Sequence, residues 1–224
     1  MVDAKKIGVA GAAIVLVTLV AVFATSYMSD FETARNPPPN TDDEFQTVEL
    51  KESPVLGSKS APVTIVEVGD YQCHMCKLWF EETRPLIIEN YVNTGKASLV
   101  FIDLPILGPD SKLAAEATYC ADDQDRYWEY HVTLYDYQGH MNSGWASIDR
   151  LHSFAFNLGL DMDEFEECIT SYKYEQRVLF NKNKAGAVAN STPTFIIVNA
   201  AGDQKQIRGA QPYSVFEQTI ESLL

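Results

Sequence analysis

Two cysteines two residues apart, in Cys73-His74-Met75-Cys76, lie between a β-branched run, Val63 to Val68, and an amphipathic segment that begins near Leu78. A run with branching at nearly every Cβ suits a strand covered on both faces, and the periodic segment after it suits a helix. The pair therefore sits at a strand-to-helix junction, which points to an α/β architecture. There the first thiol meets the unpaired amides of a helix N-terminus, which carry about half a positive charge and lower a thiol's pKa into the range where it attacks disulfides. The other reading of the pair is half of a zinc site. That needs two further Cys or His ligands at matched spacing, and the chain has no second C-x-x-C.

The elements around the motif follow from local patterning. Gly69-Asp70-Tyr71-Gln72 turns the strand into the cysteines. Beyond them Trp79, Phe80, Thr83, Leu86, Ile87 and Tyr91 fall close to helical spacing, with a kink expected at Pro85 and an end at Gly95. Ser98 to Ile102 reads as a second strand, so the unit is strand, helix, strand with a parallel crossover. From Ser111 to about Ala189 Ala, Leu, Tyr, Phe and Glu recur at helical periods, and Gly139, Gly144 and Gly159 divide the stretch into several short helices. Thr194 to Val198 returns to strand character, Asn199 to Asp203 supplies a hairpin turn before Gln206-Ile207-Arg208, and Pro212 to Leu224 reads as a closing helix.

The N-terminus carries a different signal. Lys5 and Lys6 precede Ile7 to Ala24, eighteen residues without a charge, about the length that crosses a bilayer as a helix. Lysines on its N-terminal side keep that end in the cytoplasm, so the rest of the chain is expected outside it. Val22-Phe23-Ala24 also fits a cleavage site, so residues 1–29 are a membrane anchor or a signal segment, and the length of the apolar run favours the anchor. Residues 30–47 are acidic and contain Asn36-Pro37-Pro38-Pro39-Asn40, which suits an extended tether to a folded domain over 48–224. Setting aside Asp3, Lys5 and Lys6 leaves 15 basic and 30 acidic residues of the chain's 17 and 31. Such a surface argues against nucleic acid or an anionic bilayer face as partner, since phosphate binding requires a basic one.

An exported chain is permitted disulfides. Cys120 and Cys168 fall in separate helical segments, and a bridge between them would stabilise the fold by about 4 kcal/mol through loop entropy. Two buried free thiols are the alternative.

The order of elements, with C-x-x-C after the first strand and helices inserted over about 104–189 before the last hairpin, resembles the thioredoxin fold of DsbA-like thiol–disulfide oxidoreductases. Three local matches carry the resemblance. Gly69-Asp70-Tyr71-Gln72-Cys73 is similar to that family's approach to its active site, with Cys73 matching the nucleophile and Cys76 the resolving cysteine. Ser191-Thr192-Pro193-Thr194 is similar to the loop in which a cis proline faces the cysteines, and it implies that Thr192 and Pro193 bind an extended substrate through the main chain. Glu67, six residues before Cys73, matches the acid buried beneath the pair, where a raised pKa would suit it to take a proton from Cys76. The dipeptide His74-Met75 departs from the family's usual proline-first pattern, so a strongly oxidising potential does not carry over.

The function expected is extracytoplasmic exchange of a Cys73–Cys76 disulfide with cysteines of exported proteins, as an oxidase, with no cofactor. The resemblance further implies a membrane quinone-linked partner that restores the disulfide. An isomerase or reductase uses the same residues but needs their dithiol form to persist. A soft-metal protein is a reading from another class, because Cys73, His74, Met75 and Cys76 are all ligands for Cu(I) and His140-Met141 repeats the His-Met pair. An inert thioredoxin-like adaptor is the third. His131 and His152, among aromatic residues, read as core histidines rather than ligands.

Overall fold

The computed structural model describes residues 53–224, so the expected anchor at 7–24 and the tether at 30–47 lie outside the described residues. Among the described residues no helix is long and apolar enough to cross a membrane.

Five strands form one sheet in the order β1-β3-β2-β4-β5: β1 is Val55–Leu56, β2 Val63–Gly69, β3 Ala97–Asp103, β4 Thr194–Asn199 and β5 Gln204–Arg208. Only β2 and β3 run parallel, as the crossover between them requires. β2 is central and buried at all but one position, which explains its β-branched composition. Its register places Glu67 between Phe101 of β3 and Phe195 of β4.

The helix after β2 begins at His74, which places Cys73 at its N-terminus as the junction predicts, four residues before the amphipathic stretch near Leu78. Helix α1 is His74–Glu82 and α2 is Arg84–Ile87, followed by a π-helical turn Ile88–Val92. The expected kink at Pro85 is thus a break: proline in the first turn of α2 gives up only a donor that the helix start leaves unpaired, so a new helix begins there. Gly95 follows with φ +75°, a conformation that suits glycine.

The helical insertion comprises α3 (Pro109–Asp122), α4 (Tyr127–Asp136), α5 (Ile148–Asn157), α6 (Met162–Thr170) and α7 (Glu175–Val188), with Gly139, Gly144 and Gly159 in the breaks. Helix α8, Tyr213–Glu221, closes the chain with Pro212 at its N-cap. Two apolar clusters result. One joins Trp79, Ile87 and Tyr91 to Ile65, Phe195, Ile197, Phe216 and Ile220, and the other joins Tyr71, Cys76, Phe80 and Phe101 to the insertion. The insertion is itself cross-linked: Cys120 of α3 and Cys168 of α6 form a disulfide, so the two are not free thiols.

Candidate active site

Cys73 is the N-cap of α1 and its side chain takes the role usually filled by a serine or aspartate oxygen. Its Sγ accepts the backbone N–H of Cys76 at 3.4 Å and, as a thiol, donates to the carbonyl of Thr192 at 3.3 Å. Its own amide is fixed by the Asp70 carbonyl at 2.9 Å. A negative charge on this sulfur is favoured by a hydrogen bond from the Cys76 thiol above all, then by the Thr192 side chain and the amides of Cys76 and Met75. Burial opposes them, and the net result is a Cys73 pKa lowered to about 6. The partner thiol behaves in the opposite way. Cys76 is fully buried and its pKa is pushed well above the usual thiol range, by burial first and then by the neighbouring Cys73 and Glu67. Both cysteines are free thiols in this structure. One is set to be ionised and the other protonated at neutral pH.

The Thr192–Pro193 bond is cis, and the Thr192 carbonyl lies 3.3 Å from the Cys73 sulfur. Pro193 is buried, and its carbonyl accepts the amide of Gly209 at 2.8 Å.

Glu67 lies beneath the pair and is 1% exposed. Burial raises its pKa to about 8, Arg84 pulls it down in part, and Cys73 adds to the rise. Its Oε1 has no hydrogen-bond partner among the described residues. Arg84, at the start of α2, is buried with its guanidinium 5.0 Å above the Phe80 ring. Sequence reasoning missed this cation because nothing in the spacing of Arg84 marks it as facing inward.

The turn before Cys73 is built by Asp70, whose carboxylate accepts the amides of Gln72 at 2.8 Å, Ile106 at 2.9 Å and Leu107 at 3.0 Å. This ties the approach to Cys73 to the loop after β3. Gly69 ends β2 where a Cβ would stand 2.3 Å from the buried Phe101 ring, so any larger residue there would force that ring to move. His74 and Met75 are exposed beside the cysteines, and His140 and Met141 are exposed on the loop between α4 and α5. Among the described residues no three His, Cys, Asp or Glu side chains form a metal-binding group. His131, at 0% exposure, takes a core position, with its Nδ1 at 3.0 Å from the Tyr71 hydroxyl.

Residues 49–222 match the thioredoxin family model. The probable disulfide bond formation protein D of Bacillus cereus is 30% identical over 149 residues, covering 64% of this chain and 68% of that protein. Oxidised BdbD from Bacillus subtilis aligns with a TM-score of 0.71 and 26% identity over 78% of this chain and 94% of its own. DsbA from Chlamydia trachomatis aligns with a TM-score of 0.68 and 25% identity over 77% and 92%. The chain belongs to the thioredoxin family and is a DsbA-like thiol–disulfide oxidoreductase.

Proposed function

We propose that this oxidoreductase works as an oxidase on the extracytoplasmic side of the membrane, donating a Cys73–Cys76 disulfide to exported proteins. One observation carries the reading: the Cys73 sulfur caps α1 and its pKa is lowered to about 6, while Cys76 is pushed up. A thiolate held this way stabilises the dithiol form, and stabilising the reduced form makes the disulfide a better oxidant.

The reaction begins when a substrate thiolate attacks Sγ of Cys73 in the disulfide, forming a mixed disulfide and breaking the Cys73–Cys76 bond. Cys76 leaves as a thiolate in a buried setting that disfavours charge, and Glu67, whose pKa of about 8 keeps it largely protonated at neutral pH, supplies the proton. A second substrate thiolate then attacks the substrate sulfur of the mixed disulfide and expels Cys73 as a thiolate. Two substrate thiols become one disulfide, and two electrons pass to Cys73 and Cys76. The Thr192 main chain beside Cys73 offers an extended substrate strand-like pairing, which suits sequence-tolerant recognition.

The uncharged run at 7–24 supports a single-pass anchor and the acidic, proline-containing 30–47 a tether, leaving 48–224 as the catalytic domain. The Cys120–Cys168 disulfide supports an oxidising compartment. Reoxidation then falls to a membrane quinone-linked partner. The test is refolding of a reduced exported protein by the oxidised full chain and by its Cys73→Ser variant. Disulfide formation by the parent alone is the expected result. A reduction potential below that of glutathione buffers would refute the oxidase direction.

A further inference from the structure

Cys73 is flanked by a pair of glutamine side chains that the exchange steps do not use. Gln72 is 4% exposed, and its side chain bonds to the loop 137–147, to the loop after β3 and to α3. Its Oε1 accepts the amide of Asn142 at 2.6 Å and the indole N–H of Trp145 at 3.4 Å. Its Nε2 donates to Ser111 Oγ at 3.0 Å, Asn142 Oδ1 at 3.0 Å and the Leu107 carbonyl at 3.3 Å. The orientation of this amide is not interchangeable, because a backbone N–H lies at one end and a backbone carbonyl at the other. Gln138 reaches in the opposite direction, from the loop 137–147 into the nucleophile's segment. Its Nε2 donates to the carbonyl of Tyr71 at 2.6 Å and to that of Cys73 at 3.2 Å. The loop is held at a third point, where the Gly144 amide donates to Asp110 Oδ2 at 2.9 Å.

The consequence for the nucleophile is geometric. The residue before Cys73 is anchored through its side chain, and the carbonyl of Cys73 itself is anchored by Gln138, so the Cα that carries the sulfur is held from both sides. The acidity of the sulfur depends on such fixing: it accepts the Cys76 amide at 3.4 Å, an ordinary N–H···S separation, and that bond weakens as the sulfur swings out of line with the N–H.

We propose that Gln72 and Gln138 form a clasp that holds Cys73 at the cap of α1, which makes both glutamines positioning residues of the exchange reaction and the loop 137–147 the element through which they act. The proposal rests on the reading of Cys73 as the attacking group.

The test uses Gln72→Ala and Gln138→Ala, each followed by ultraviolet absorbance of the thiolate against pH, by redox equilibration with glutathione, and by urea unfolding. In each variant Cys73 becomes a threefold to tenfold weaker acid, and at neutral pH the equilibrium with glutathione moves toward the protein disulfide, by up to the same factor. Gln124→Ala is the control. Its side chain makes a similar reciprocal pair with the backbone of Asp161, remote in sequence from Cys73 and Cys76, and Cys73 acidity stays at the parent's value there. Gln138→Ala, at a half-buried loop position, keeps the test open should Gln72→Ala fail to fold. Parent-like titration of Cys73 in the folded variants would overturn the clasp, and would do so even where urea unfolding shows lost stability. Undiminished exchange by Cys73→Ser would instead overturn the assignment beneath it.

Discussion

Replacing Glu67 by glutamine leaves the shape of the central strand nearly unchanged and removes its one buried carboxyl. Burial raises that carboxyl's pKa from 4.5 to about 8, so the folded protein holds the proton over a range where the unfolded chain has released it. The sign follows from the raised value. The protonated carboxyl carries no such penalty below pH 4.5, the penalty grows as pH climbs, and it levels off once pH passes about 8. From those two values the parent loses about 3 kcal/mol at pH 7 that Glu67→Gln does not lose, and almost nothing at pH 4. Any fixed cost of burying an amide in place of a carboxyl displaces the whole difference without altering its slope. The titration of Cys73 and the Cys120–Cys168 bridge are common to both proteins and largely drop out of the subtraction. The assay is urea unfolding of both proteins in the dithiol form, at intervals from pH 4 to pH 9, followed by tryptophan fluorescence. A stability difference between them that is flat across this range would refute the argument that Glu67 titrates in a desolvated site.

Three further outcomes are expected. Alkylation of Cys73 should rise with pH through a midpoint near 6 and then level off, and the stability that its lowered pKa lends the dithiol form, full above pH 9.0, should fade as pH falls through about 6. A midpoint near that of an ordinary thiol, measured by iodoacetamide kinetics, would contradict the capping geometry. Replacing both Cys120 and Cys168 by alanine should lower unfolding free energy by about 4 kcal/mol, since 48 residues separate them; urea titration under non-reducing conditions checks this. Asp70→Ala strips three backbone amides of their acceptor, which should destabilise the fold by about 2–4 kcal/mol and slow exchange, read by urea titration and by refolding of a reduced substrate.

Much of the architecture was readable from local pattern. The β-branched run of β2, the C-x-x-C after it, the strand Ala97–Asp103, the helical stretch and the closing hairpin each depend on neighbours within a few residues, where side-chain periodicity of two or 3.6 is a direct physical signal. The place of Cys73 was legible for a related reason, since a thiol between a β-branched run and a helix stands at the helix start, whereas Thr192-Pro193 drew notice only through the family resemblance, because a proline at a strand entry is common. The structure bears out the thiol at the start of α1, and it differs at Pro85, which opens a new helix rather than kinking α1, because proline disrupts a continuing helix but is accepted in the first turn of a new one.

The remainder depends on distances that no local pattern encodes. Sequence alone set the order of the elements and placed the C-x-x-C pair after β2 with an acid six residues before it. Folding decided that Gln138 reaches the carbonyl of Cys73 across 65 residues, that Arg84 turns inward to moderate Glu67, and that Cys120 meets Cys168. The division has a physical origin. Helix and strand propensities act between near neighbours, whereas the acidity of a buried group is set by whatever the packed chain brings within a few ångströms of it.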